Sequence, residues 1–226
     1  MKNHPCYDKA RAGGYLNHAD LASLVRSALK RTFPETNFSV RSHSYSGGSS
    51  VDVRWEDGPT SKQVDAVIDG FVTKGFDGMI DLAHGCSLWL YPDGSAHCAH
   101  DAGTMGSMGT APEVIESPRG PDAVLVENVS HSYVSGQRDV SPDLVKRSID
   151  AIRAQNWRFL ESFDWDSIKL AVTKWGALWE IPFFCDEAGL AMGCNDNLRD
   201  MVMRAAYATD ARPGAVAPTF EQLAAR

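Results

Sequence analysis

Between Phe38 and Glu56 the chain alternates with a period of two, and the alternation breaks once, at Gly47-Gly48. Phe38, Val40 and Ser42 interleave with Ser39, Arg41 and His43; Val51, Val53 and Trp55 interleave with Asp52, Arg54 and Glu56. Successive side chains of a strand point to opposite faces, so the pattern describes two half-buried strands. Glycine takes positive φ without a Cβ clash, and Gly47-Gly48 therefore reads as a two-residue hairpin turn, setting Val40 opposite Trp55 and His43 opposite Asp52. A one-residue slip would move Val51, Val53 and Trp55 to the face of Arg41 and His43, so the hydrophobic pattern supports the turn independently. Reading Ser-Gly-Gly-Ser-Ser as a phosphate cradle would require a strand before it, a helix after it and ideally Lys-Ser or Lys-Thr, a context this stretch lacks. The hairpin leaves Arg41, His43, Tyr45, Asp52 and Arg54 on one outward face, either a solvated sheet surface or a contact surface for a partner.

The flanking segments supply helices. Residues 1–16 are polar and Gly-containing and read as a flexible arm. From Asn17 the positions Leu21, Leu24, Val25, Ala28 and Leu29 recur at helical spacing, with Arg26, Lys30 and Arg31 towards the end that favours cations and Pro34 as the stop. One face of this helix packs and the other is basic. Thr60 with Gln63 forms a capping-box signature for a helix through Val64, Val67, Ile68, Phe71 and Val72. Two apolar runs follow, Met79–Ala83 and Ser87–Tyr91, then the turn signal Pro92-Asp93-Gly94-Ser95 and another short strand. The order α-β-β-α-β-β over residues 17–100 suits a small antiparallel sheet with helices on one face.

FSVRS at 38–42, YSGGSSVDVRW at 45–55, DGPT at 57–60 and FDGMID at 76–81, linked in this order, resemble one of the large polyvalent protein-associated domain families. These small domains recur in proteins of phages and conjugative elements. The resemblance implies a protein carried by mobile DNA, of a kind suspected of protecting that DNA from a new host or adapting it to one. It brings no catalytic residues to carry over.

Residues 101–122 are dense in Gly, Pro, Ser and Thr and read as a long loop or linker. Beyond it Ala123–Tyr133 reads as a strand, and Ser141-Pro142-Asp143 opens a helix lined by Leu144, Val145, Ile149 and Ile152. NWRFLESFDWDSIKLAVTKWGALWEIPFF holds four of the six tryptophans, with Ile168, Val172, Trp175 and Trp179 at helical spacing. A last helix from near Asn195 passes through Leu198, Met201, Val202 and Ala205, before a tail at 211–226. The expected fold class is α+β, with a mostly helical, aromatic-rich domain over 123–210. Its tryptophans serve the core, while Trp157 and Trp165 are the candidates to anchor a partner.

Five cysteines, an odd number and widely spread, do not form the dense framework of a secreted mini-protein. The start of the chain resembles neither a signal nor a transit peptide, and no run approaches a membrane span, so the expected setting is the host-cell cytoplasm, with no membrane partner. Twenty-two Lys+Arg against 29 Asp+Glu give a formal charge of −7, which opposes non-specific affinity for phosphate backbones but leaves room for a local basic patch.

Three constellations bear on chemistry. His84, Cys86, His97, Cys98, His100 and Asp101 fall within eighteen residues across an expected hairpin. Residues two apart share a strand face, so His84 with Cys86 and Cys98 with His100 are a candidate zinc set, although their spacing fits neither Cys-x₂₋₄-Cys nor His-x₃₋₅-His. Buried cysteines and surface histidines are the alternative. The same cluster offers a Cys/His nucleophile, which would need a depressed thiol pKa and an orienting third group. The acidic set Asp164, Asp166, Glu180, Asp186 and Glu187 resembles a glycosidase in composition only, and solvated surfaces and loop ends account for it. The leading expectation is a non-catalytic interaction protein. Its partner would be a host defence complex, or the nucleic acid that complex holds, as for an anti-CRISPR or anti-restriction inhibitor. The alternative is a Cys/His hydrolase or transferase, with or without zinc.

Overall fold

The computed structural model describes residues 2–77, 81–99, 116–155, 160–174, 176–182 and 197–212. These residues form two compact units, one of residues 1–55 and 61–137 and one of residues 56–60 and 138–226.

The first unit carries helices α1 (Pro5–Arg11), α2 (His18–Thr32) and α3 (Ser61–Ile68). Its strands are β1 (Ser39–Tyr45), β2 (Gly48–Glu56), β3 (Lys74–Asp77), β4 (Leu82–Gly85), β5 (Leu88–Leu90), β6 (Ala96–Cys98), β7 (Val124–Val126) and most of β8 (Ser132–Asp139). They form a sheet ordered β1-β2-β8, a sheet ordered β6-β5-β7 and the pair β3-β4. Asn17 caps α2 by accepting from the amides of Ala19 and Asp20, and Asp20 returns a carboxylate to the Asn17 amide, a reciprocal capping box. The expected apolar face of α2 is buried in full and packs with Val40, Val51, Val53 and Trp55, the inward residues of the hairpin.

The hairpin forms as expected but in a register shifted by two. Val40 pairs with Val53 and His43 with Ser50, because the turn is Ser46-Gly47 rather than Gly47-Gly48. One positive φ suffices there, 90° at Gly47. Gly48 instead joins the ladder opposite Tyr45, and its missing side chain leaves the space that the Tyr45 ring and the Lys74 ammonium occupy. A shift of two preserves the faces, so the buried and exposed sets are those expected.

Strand β8 adds to β2 in parallel. Ser49 N–H donates to the His131 carbonyl, Ser135 meets Asp52, and Gly136 lies under the Trp55 ring, so the two segments ascend together. Three hydroxyls enclosed by this junction are satisfied within it. Ser49 Oγ lies 2.6 Å from Ser132 Oγ and 2.8 Å from Ser130 Oγ, and Thr73 Oγ1 donates to the Ser130 carbonyl at 2.7 Å while accepting from the Ser132 amide at 3.0 Å. Ser49, Thr73 and Ser132 are at most 2% exposed.

Residues 5–11 correct the expected arm. Pro5 opens α1, and Cys6, Tyr7 and Ala10 are buried, as is Leu16 beyond it. Tyr7 donates to the Asp122 carbonyl at 2.6 Å, and Leu16 bridges in parallel to Val129. Four buried positions in sixteen residues are too few for a readable period, and the partners of Tyr7 and Leu16 lie over a hundred residues away. The expected strand over 123–133 is divided between β7 and the start of β8, and both belong to the first unit. Of the expected linker, residues 101–115 lie outside the described residues, as does the tail from 213 onwards.

The second unit contains α4 (Pro142–Ala154), β9 (Lys169–Thr173), β10 (Gly176–Glu180) and α5 (Leu198–Ala208). Ser141 caps α4 by accepting from the Leu144 amide, Pro142 occupies the first turn, and Asn197 caps α5. The apolar faces of both helices meet in one core with Leu160 and Phe163. The expected helix through Ile168, Val172, Trp175 and Trp179 is instead an antiparallel hairpin, so the second half is not mostly helical. The helical spacing of those four apolar residues competes with a β-branched strand, KLAVT, and a turn that ends at Gly176, whose φ is 118°.

Arg138, 4% exposed, holds this unit to residues 56–60. Its guanidinium donates to the carbonyls of Asp57 (2.8 Å), Gly58 (3.2 Å), Tyr207 (2.8 Å) and Thr209 (2.8 Å). Burial lowers its pKa, opposed by Asp57 and Asp210. The acceptors at Tyr207 and Thr209 belong to the end of α5, where unpaired carbonyls carry negative potential. Replacing Arg138 by Met leaves those carbonyls buried without donors and destabilises the protein by about 3 kcal/mol. Urea unfolding followed by tryptophan fluorescence measures this loss. Arg138→Lys should recover less than half of it, since an ammonium has three donors and no fork.

Candidate binding face and the cysteine pair

The outward side of β1-β2-β8 assembles the candidate hairpin residues. Arg41, His43 and Tyr45 stand on β1, Ser50, Asp52 and Arg54 on β2, and Tyr133, Ser135 and Gln137 on β8, because residues two apart share a face. His43 Nε2 lies 3.5 Å from Asp52 Oδ2, and Ser135 donates to Asp52 Oδ1. Asp52 is thereby engaged. Arg41 and Arg54 have neither a hydrogen-bond nor an ion-pair partner among the described residues, and both are exposed.

At the turn end, Lys74 of β3 reaches the same face. Its ammonium sits 5.7 Å from the Tyr45 ring centre and 5.0 Å from that of Tyr133, and donates to the Gly47 carbonyl at 2.8 Å. Such cation–π contacts hold both rings in place while Tyr45 stays 47% and Tyr133 37% exposed. Lys74 and Tyr133 escape a sequence reading, because nothing local signals that β8 lies beside β2.

Arg26 and Lys30 do not join this face. They belong to α2, which packs on the opposite side of the hairpin; Arg26 donates to the Val40 carbonyl at 2.9 Å and Lys30 to that of Pro34 at 2.7 Å. Trp165 is half-buried, edge-on to Phe163 at 5.2 Å and covered by Arg153 at 5.8 Å, which is a packing role. Trp157 and Trp175 lie outside the described residues, as do Asp186 and Glu187. Asp164 caps a short 3-10 turn by accepting from the Asp166 amide.

Among the described members of the Cys/His cluster, the strand register brings the two cysteines together and turns His97 away. Cys98 stands opposite Leu88 on β5-β6, and the Ala99 amide continues that ladder to the Ser87 carbonyl, which brings Cys86 diagonally beside Cys98. The two thiols hydrogen-bond each other. His97 pairs with Trp89 and points to the other side, while His84 lies on β4 with its ring over Gly75 and its buried Nδ1 without a partner. His100 and Asp101 lie outside the described residues, and among those described no three His, Cys, Asp or Glu side chains are grouped to hold a metal. The hydrogen bond that the Cys86 thiol makes to Cys98, together with burial, pushes its pKa well above the ordinary value, the reverse of an activated nucleophile.

An open cleft of about 430 Å³ borders the turn, lined by Tyr15, His18, Ser44, Ser130 and His131 among others. Its Ser130 hydroxyl is bonded to Ser49, and the His131 ring packs on Gly85, so no Ser–His pair is formed there. No helix among the described residues is long and apolar enough to cross a membrane.

Residues 16–106 match the family model of large polyvalent protein associated domain 29. This supports the resemblance to a family of this kind. All but residues 56–60 of the matched segment fall in the first unit. No curated protein and no solved structure matches the chain.

The thiol chemistry yields a direct measurement. In native protein at pH 8, Cys86 should react with iodoacetamide at least ~10 times more slowly than an unperturbed thiol of pKa about 8.5. Mass spectrometry of the peptide containing it, before and after denaturation, reads the difference. Rapid native alkylation would restore the nucleophile.

Proposed function

We propose that this is a protein of phages or conjugative elements that blocks a host defence machine, of restriction or CRISPR type, by occupying one of its surfaces. The mobile-element setting is supported by the match to a large polyvalent protein associated domain over residues 16–106. Surface occupancy is supported by one observation above all: among the described residues, Arg41 and Arg54 stand exposed and unpartnered on a sheet face that also presents two held tyrosine rings. Arginine and tyrosine are among the residues enriched at binding hot spots, and Asp52 between them is already engaged by His43 and Ser135. The protein then acts stoichiometrically and turns nothing over.

The test is DNA cleavage by purified restriction endonucleases and CRISPR effector complexes titrated with the protein. Inhibition should saturate near one protein per site, and Arg41→Glu with Arg54→Glu should weaken it at least ~10-fold, since like-charge juxtaposition costs several kcal/mol. Undiminished cleavage across the whole panel defeats the reading, as does inhibition at protein levels far below the target's.

A further inference from the structure

Resting on the reading that the β1-β2-β8 face is the working surface, we infer that its ligand within such a machine is single-stranded nucleic acid. Three features of the face converge on that chemistry. Arg41 and Arg54 are diagonal neighbours across β1 and β2, since Arg54 pairs with Ser39 and Arg41 with Asp52. Two arginines, neither with an acceptor among the described residues, therefore stand on neighbouring strands within reach of successive phosphates.

Tyr45 and Tyr133 lie towards the other end of the sheet, about 13 Å along β1 from Arg41 at strand rise. Their rings are fixed by the Lys74 ammonium between them and remain about two-fifths exposed. Unstacked bases pack on exposed aromatic rings of a sheet, whereas the stacked bases of a duplex are out of reach of a flat surface. The third feature is local charge. Arg41, Arg54 and Lys74 stand around Asp52, which His43 and Ser135 engage, while Glu56 and Asp139 lie beyond Arg54 on the same face. The cations are thus grouped on the stretch from Arg54 to Lys74, on a chain whose formal charge of −7 disfavours non-specific adhesion of polyanions elsewhere.

Fluorescence anisotropy with a labelled single strand of about 20 nucleotides, as DNA and as RNA, and with a duplex of equal length tests the assignment; that length exceeds the site size of a single-sheet binder. The single strand should bind more tightly than the duplex. Two or three phosphate contacts predict that log K falls with log salt at a slope of about −1.4 to −2.1. Arg41→Ala with Arg54→Ala should cost at least ~10-fold in affinity and flatten that slope by about 1.4. Tyr133→Leu should cost roughly 5- to 100-fold with the slope unchanged, which separates stacking from charge. Circular dichroism confirms that each variant is folded. Equal or tighter binding of the duplex, binding that survives the double arginine substitution, or no binding of either strand at low salt overturns the proposal. If cleavage inhibition persists in a protein that binds no oligonucleotide, this inference fails while the inhibitor reading stands. Oligonucleotide binding without inhibition of any machine defeats the inhibitor reading and supports the nucleic-acid assignment.

Discussion

The enclosed hydroxyls of Ser49, Thr73 and Ser132 are the constraint on which the first unit turns. A hydroxyl taken from water costs roughly 1–3 kcal/mol unless another group satisfies it. Here each is satisfied only when β2, β8 and the chain entering β3 are in register with one another. Slipping β8 by one residue would withdraw Ser132 from Ser49 and leave several polar groups buried without partners. The same geometry that satisfies the interior fixes the exterior, because Tyr133 follows Ser132 and Lys74 follows Thr73. The outward pairing of lysine and tyrosines is thus a consequence of an inward requirement.

That coupling explains what the sequence discloses and what it withholds. Local signals are faithful. The period-two alternation places Val40, Val51, Val53 and Trp55 inside and Arg41, His43 and Arg54 outside, and the starts read at Asn17 and Ser141 are real helix caps, while the last helix, expected from near Asn195, is capped by Asn197. The turn lies one residue earlier than its two glycines suggest, since Gly48 serves packing space rather than backbone curvature. Where a segment's fate depends on distant partners, the local signal is silent. Residues 5–11 are held through Asp122 and the strand after it, and β8 takes its place beside β2 from over eighty residues away.

The second half misleads for a different reason. Between Ile168 and Trp179 the apolar residues satisfy a helical period and a strand period at once, and only length and β-branching favour the latter. Val172 is 82% exposed and Leu170 and Leu178 nearly half so, which means that burial does not shape the pattern that suggests a helix. The candidate site is half legible. Five of its residues lie on one hairpin and follow from alternation, while Lys74 and Tyr133 require the sheet order. The cysteines are a mixed case, in which proximity along the chain suggests one cluster while strand register sets Cys86 beside Cys98 and turns His97 to the other side.

Residues 56–60 sit between β2 and α3, yet belong to the unit that Arg138 and the end of α5 complete. A ribosome delivers that pentapeptide roughly 80 residues ahead of Arg138 and roughly 150 ahead of Ala211, both of which donate to its carbonyls, the longer interval being about ten to thirty seconds at ordinary elongation rates. The nascent first unit therefore emerges with an unclaimed strap in its midst. Its final closure waits on translation reaching Ala211.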